Sequence, residues 1–166
     1  MKLARLIVAA VAAVAVLSTA AVPGYAATLR WGAQNDILTL DPHSQNHATT
    51  HGLLQHTYES LVRYTKDFQV EPSLATSWQQ VSPTQWRFNL RKGVKFHDGT
   101  PFTADDVVFS YGRIIQPQGT NQIYVSGVKE VKKIDDYTVE MILSGPNPVL
   151  LRLLVDFRIM SKAWSV

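Results

Sequence analysis

The chain has 166 residues, with 16 Lys plus Arg, 13 Asp plus Glu, a formal net charge of +3 and no cysteine. Lys2 and Arg5 are the only charged side chains in the first 26 residues, so the remainder carries 14 basic against 13 acidic groups and offers no polyanion-binding surface. The lack of thiols removes disulfide scaffolds, thiolate zinc sites and cysteine nucleophiles, and the length excludes a complete large enzyme.

Lys2 and Arg5 precede an unbroken apolar run over 6–17. That run is shorter than the roughly 20 residues a membrane-spanning helix needs, and it fits the apolar region of a secretory signal. Pro23 and Gly24 stop any helix, and Gly24-Tyr25-Ala26 places small residues three and one before a cut after Ala26. Residues 1–26 therefore read as a cleavable signal peptide, and 27–166 as an exported chain; an uncleaved anchor is the alternative for the same run.

In the exported part, residues 28–33 alternate apolar and polar as a half-buried strand does. A loop over 36–42 ends in Asp41-Pro42. Thr49 or Thr50 can cap a helix whose apolar face is Leu54, Tyr58, Leu61 and Val62. Lys66-Asp67 marks a turn, and Glu71-Pro72 starts a loop leading to Trp78. Trp86, Phe88 and Leu90 alternate with Arg87, Asn89 and Arg91 as a strand, with Val94 and Phe96 a short strand before a turn at Asp98-Gly99. Thr103 and Asp106 have the spacing of a capping box, opening a helix with Val107, Val108, Tyr111, Ile114 and Ile115 on one face. Asp105 and Asp106 point different ways on that helix, which favours helix-start electrostatics over a carboxylate pair.

Residues 128–134 and 137–143 read as two strands joined at Asp135-Asp136. Asn147 can cap a helix with Pro148 at its first position, and Leu150, Leu151, Leu153 and Leu154 make that helix a buried one. The fold class is α+β, with antiparallel hairpins and about three helices.

Three runs are distinctive together: Pro-Ser-Leu-Ala-Thr-Ser-Trp at 72–78, Trp-Arg-Phe-Asn-Leu-Arg-Lys-Gly-Val-Lys-Phe-His-Asp-Gly at 86–99, and Pro-Phe-Thr-Ala-Asp-Asp-Val at 101–107. With Leu40-Asp41-Pro42-His43, Tyr58-Glu59-Ser60-Leu61 and 134–139 in the same order, the chain resembles family 5, the peptide/nickel/oligopeptide family of periplasmic solute-binding proteins of ATP-binding-cassette importers. The resemblance implies a type II periplasmic-binding-protein fold. This chain would form the start of its first lobe plus the subdomain inserted there, with the second lobe missing, and 157–162 would be the strand returning to the first lobe. It further implies extracytoplasmic binding of a solute, a short peptide first of all, by closure of an interlobe cleft. Its partners would be that solute and the membrane permease of the importer. Nucleic acid, cofactors and enzymatic chemistry have no place in it.

The resemblance also implies ligand contacts. Asn46, His47, Ala48 and Thr49 follow the Asp-Pro turn, where the family presents loop backbone and small side chains, and Tyr124 lies where some relatives place a cleft tyrosine. Such a tyrosine offers a stacking face and a hydroxyl to a peptide. Trp78 and Trp86 read as packing residues.

Two other readings stand beside this one. A non-transporting remnant would bind no solute and act structurally. The histidines at 43, 47, 51 and 56 suggest metal binding, since His47 and His51 are spaced i, i+4. No HExxH or second carboxylate completes a shell, so solvated or capping histidines are expected and no metal site is assigned. The sequence also lacks GxSxG and GxxxxGK[ST].

Overall fold

The computed structural model describes residues Thr28, Arg30, 32–117 and 120–165. The chain divides into two units, Met1–Gly32 and Ala33–Val166. The signal-peptide reading of 1–26 lies outside the described residues, as do Leu29 and Trp31. Thr28, Arg30, Gly32 and Ala33 are exposed and outside any strand; alternation makes a strand only against a partner ladder. Among the described residues no helix is long and apolar enough to cross a membrane.

The unit Ala33–Val166 begins with α1 (Ala48–Leu54). Two short strands, β1 (Val62–Tyr64) and β2 (Val70–Pro72), form an antiparallel hairpin with Val62 opposite Pro72. The main sheet has four antiparallel strands: β3 (Ala75–Ser82), β4 (Gln85–Leu90), β5 (Val128–Asp135) and β6 (Thr138–Leu143), in the order β3-β4-β6-β5. Helix α2 (Ala104–Ile114) packs on β5 and β6. A 3-10 turn at Asn121–Val125 precedes β5, and α3 (Leu150–Leu153), a second 3-10 turn (Leu154–Asp156) and α4 (Lys162–Ser165) follow β6.

The alternation in the sequence dictates the sheet. Phe88, Leu90, Val139, Met141 and Leu143 all point to one face and are buried, so β4 and β6 share a single apolar side. Val107, Tyr111 and Ile114 of α2 cover it, spaced three and four apart as a helix stripe requires. On the opposite face Glu140 accepts from Gln85 at 2.7 Å and from Arg87, which keeps that buried carboxylate paired.

The start of α2 follows its sequence signature. The Asp106 carboxylate accepts the Thr103 amide at 2.8 Å, and its other oxygen accepts the Lys162 amide at 2.9 Å. Asp105 faces the other way and meets Lys133 at 2.6 Å. At the 98–99 turn Gly99 has φ +86, a conformation that costs a side chain dearly, and Asp98 accepts the Thr100 amide at 2.9 Å.

Several sequence expectations are corrected. The first helix starts at Ala48 with His47 at its cap position, two residues before Thr49 and three before Thr50, and it stops at Leu54. Thr50 is buried inside it and accepts the Leu38 amide at 3.2 Å. Leu61 and Val62 match the helical spacing only by coincidence; they enter a buried segment leading into β1. Glu71-Pro72 closes a strand rather than opening a loop. Val94 and Phe96 make no strand beyond one bridge, Lys95 to Pro101, and residues 157–162 make one bridge, Ser60 to Arg158. The helix after Asn147 is a single turn: the Asn147 side chain accepts the Val149 amide at 3.1 Å, Leu150 and Leu154 are buried, and Leu151 and Leu153 are half-buried.

Candidate functional site

The five residues proposed from the sequence as ligand contacts come from two segments, 46–49 and Tyr124. The Tyr124 hydroxyl donates to Asn46 Oδ1 at 3.0 Å, joining residues 78 apart in sequence. Asn46 and Ala48 are exposed, while His47, Thr49 and Tyr124 are half-buried. His47 caps α1 with extended backbone, and its Nδ1 lies 3.4 Å from the Thr50 hydroxyl. The Tyr124 ring packs on His51, with centroids 5.5 Å apart. Burial pushes the Tyr124 hydroxyl up from its ordinary value, so it remains a donor at neutral pH.

Beneath this surface lies a polar knot centred on Arg158, which is 1% exposed. Its guanidinium donates to His51 Nδ1 at 3.0 Å, to the His51 carbonyl at 3.2 Å and to Asp156 Oδ1 at 3.2 Å. Because Arg158 can only donate, His51 Nδ1 must accept, and the His51 proton sits on Nε2, which donates to the Gln45 carbonyl at 3.0 Å. His43 Nε2 donates to the Arg158 carbonyl at 2.8 Å. Burial holds His43 down to about 4, which keeps its ring neutral at physiological pH.

The loop before α1 is fixed at its base as well. Arg113 grips both oxygens of Asp41, at 2.7 and 2.6 Å, in the fork geometry that suits a carboxylate. That hydrogen-bonded pair keeps the Asp41 carboxyl below the usual range, although burial works against it.

His56 is exposed, as a solvated histidine is expected to be, whereas His47 occupies the cap position expected for Thr49 or Thr50 and makes no cap bond with its side chain. His43 and His51 depart from the sequence reading: they are buried at 2% and 8%, each spending a ring nitrogen on a backbone carbonyl. Among the described residues no group of three metal-ligating side chains forms. Arg158, Asp156, Arg113 and Asn121 escape the sequence reading. Arg158 alone leaves a signal, as a charge inside the otherwise apolar run 157–160.

A cavity of about 280 Å³ lies elsewhere, lined by Tyr58, Leu74, Phe96, Phe102, Met160 and Trp164. None of the five proposed contact residues lines it.

The α+β unit has the fold of type II periplasmic binding proteins. It superposes on a Burkholderia pseudomallei OppA with a TM-score of 0.72 at 26% identity, covering 76% of this chain and 29% of that one. It matches the A. tumefaciens R10 binding protein AgaA, solved with agropinic acid, with a TM-score of 0.72 at 30% identity, over 78% of this chain and 27% of that one. Residues 69–164 match the bacterial extracellular solute-binding proteins, family 5, and the chain belongs to that family. The periplasmic oligopeptide-binding protein OppA of Escherichia coli is 31% identical over 140 residues, 73% of this chain. The chain spans 26% of that relative's length.

Proposed function

We propose that this chain provides the first-lobe wall of a solute cleft in an exported binding protein that delivers a short peptide, or a related small solute, to the permease of an ATP-binding-cassette importer. Residues 1–26 would act as the signal peptide, and the chain would work in the periplasm by binding and closure, without covalent chemistry. Asn46, His47, Ala48, Thr49 and Tyr124 would meet the ligand.

The observation that carries this reading is the hydrogen bond from Tyr124 to Asn46, which joins two separately proposed contact segments at one partly open surface. Family membership supports solute binding as the class of activity. The range of solutes in the relatives' names runs from oligopeptides to agropinic acid, so the peptide is the finer part of the proposal.

Calorimetric titration of the chain with a mixed pool of short peptides tests it directly. Heat of binding is expected, and Tyr124→Phe, which removes the hydroxyl at Asn46, should weaken binding by about 5-fold, the worth of one hydrogen bond. A flat titration with the unmodified chain would overturn the reading.

A further inference from the structure

Residues 42–47 belong to no helix or strand, yet the carbonyls of Pro42, Ser44 and Gln45 are each held by a side-chain donor from a distant segment or from α1. The Pro42 and Gln45 carbonyls both accept from Asn121 Nδ2, at 2.8 and 3.2 Å. The Ser44 carbonyl accepts from the Thr120 hydroxyl at 3.2 Å, and Gln45 accepts again from His51 Nε2. Residues 120 and 121 belong to the segment that also carries Tyr124, so the two halves of the proposed contact surface are tied together from below.

Asn121 is central to that arrangement. It is 0% exposed, and both hydrogens of its amide nitrogen are spent on the loop. Two carbonyl partners can only accept, which fixes the orientation of the amide. Its Oδ1 is buried with no partner among the described residues. An unpaired buried acceptor is destabilising, and an apolar side chain would fill the space without it. The residue is therefore explained by its donors: a side-chain amide is the small uncharged group that presents two of them on one atom.

We infer that Asn121 is a positioning residue, setting loop 42–47 in the shape from which Asn46–Thr49 meet solute. The ligand-contact part rests on the function proposed above; the loop-setting part does not.

Hydrogen exchange on the full chain tests it. In Asn121→Ala the amide of His43, inside the loop, and that of His51, which bonds to the loop's last carbonyl at His47, should exchange about 10-fold faster, while those of Val139 and Met141 in the sheet change by less than about 2-fold. Asn121→Asp, isosteric but lacking the donors, should behave as the alanine variant does. Equal acceleration everywhere, unchanged loop amides, or an aspartate variant that matches the unmodified protein would each overturn the inference. One measurement needs no variant: the two Asn121 side-chain amide protons of the unmodified chain should be protected, and exchange at the free-amide rate would overturn it too. Titration with trialanine and trilysine runs alongside. If the unmodified chain binds neither, the solute-site reading fails while the exchange result still decides what Asn121 does.

Discussion

The four-stranded sheet and the knot around Arg158 are both buried, but they are made of opposite materials. The sheet buries Phe88, Val139 and Met141, whose stabilisation is non-directional and grows with the apolar area removed from water. The knot buries an arginine and two histidines against a half-buried aspartate, and their desolvation is offset only while those partners stay in place. A repacked sheet can therefore tolerate change of shape within limits, whereas the knot answers to loss of a single atom. The proposed contact loop sits on the knot, so rigidity there is bought with polar groups rather than with apolar volume.

Mutations and pH can separate the two regions. The largest effect is expected in the sheet: Phe88→Ala should cost about 4 kcal/mol, read as a lower urea midpoint, because truncation leaves a cavity under α2. Arg158→Ala should cost about 3 kcal/mol by leaving His51 and Asp156 without their donor, while Arg158→Met, which restores apolar volume, should cost less. Equal losses in the two Arg158 variants would erase the distinction between the regions.

The third expectation concerns acid. His43 has a folded value of about 4 against an ordinary 6.5, so between those pH values the unfolded chain takes up a proton that the folded chain refuses. Its contribution is fully present above about pH 6.5 and is lost as pH falls to about 4, amounting to about 3 kcal/mol. Unfolding free energies measured across that window in the unmodified chain and in His43→Gln should diverge, with the variant showing the flatter slope. Parallel slopes would show that the knot does not govern the acid response. The smallest effect belongs to the surface: Arg63→Ala, which removes an exposed pair with Glu71 at 2.7 Å, should shift stability by about 0.5 kcal/mol and less in high salt.

The same contrast explains how much of the molecule is legible in its sequence. Phe88 with Leu90, and Val139 with Met141 and Leu143, announce their strands because period-two alternation is a local property, and the Thr103 to Asp106 spacing marks the start of α2 for the same reason. Leu61 and Val62 mislead because apolar residues at helical spacing also satisfy a buried segment beyond the helix end. The knot is nearly silent. Arg158 meets His51 across 107 residues and Asn121 meets Pro42 across 79, and no local periodicity records partners that far apart. The contact residues proposed at 46–49 and 124 come from family resemblance; their junction through Asn46 and Tyr124 comes from the fold.

The order of the sheet has a consequence for behaviour at high concentration. Among the described residues both outer strands, β3 and β5, have one side without a neighbour in the sheet. Strand β5 carries exposed charged side chains along its length, Lys129, Glu130, Lys132, Lys133 and Asp135, which discourage addition of a further strand. Strand β3 carries Thr76, Ser77, Gln79, Gln80 and Val81 in exposed positions and has no charge along its length. When molecules crowd together, strand addition should begin at β3, and one lysine placed at Gln79 is the economical way to discourage it.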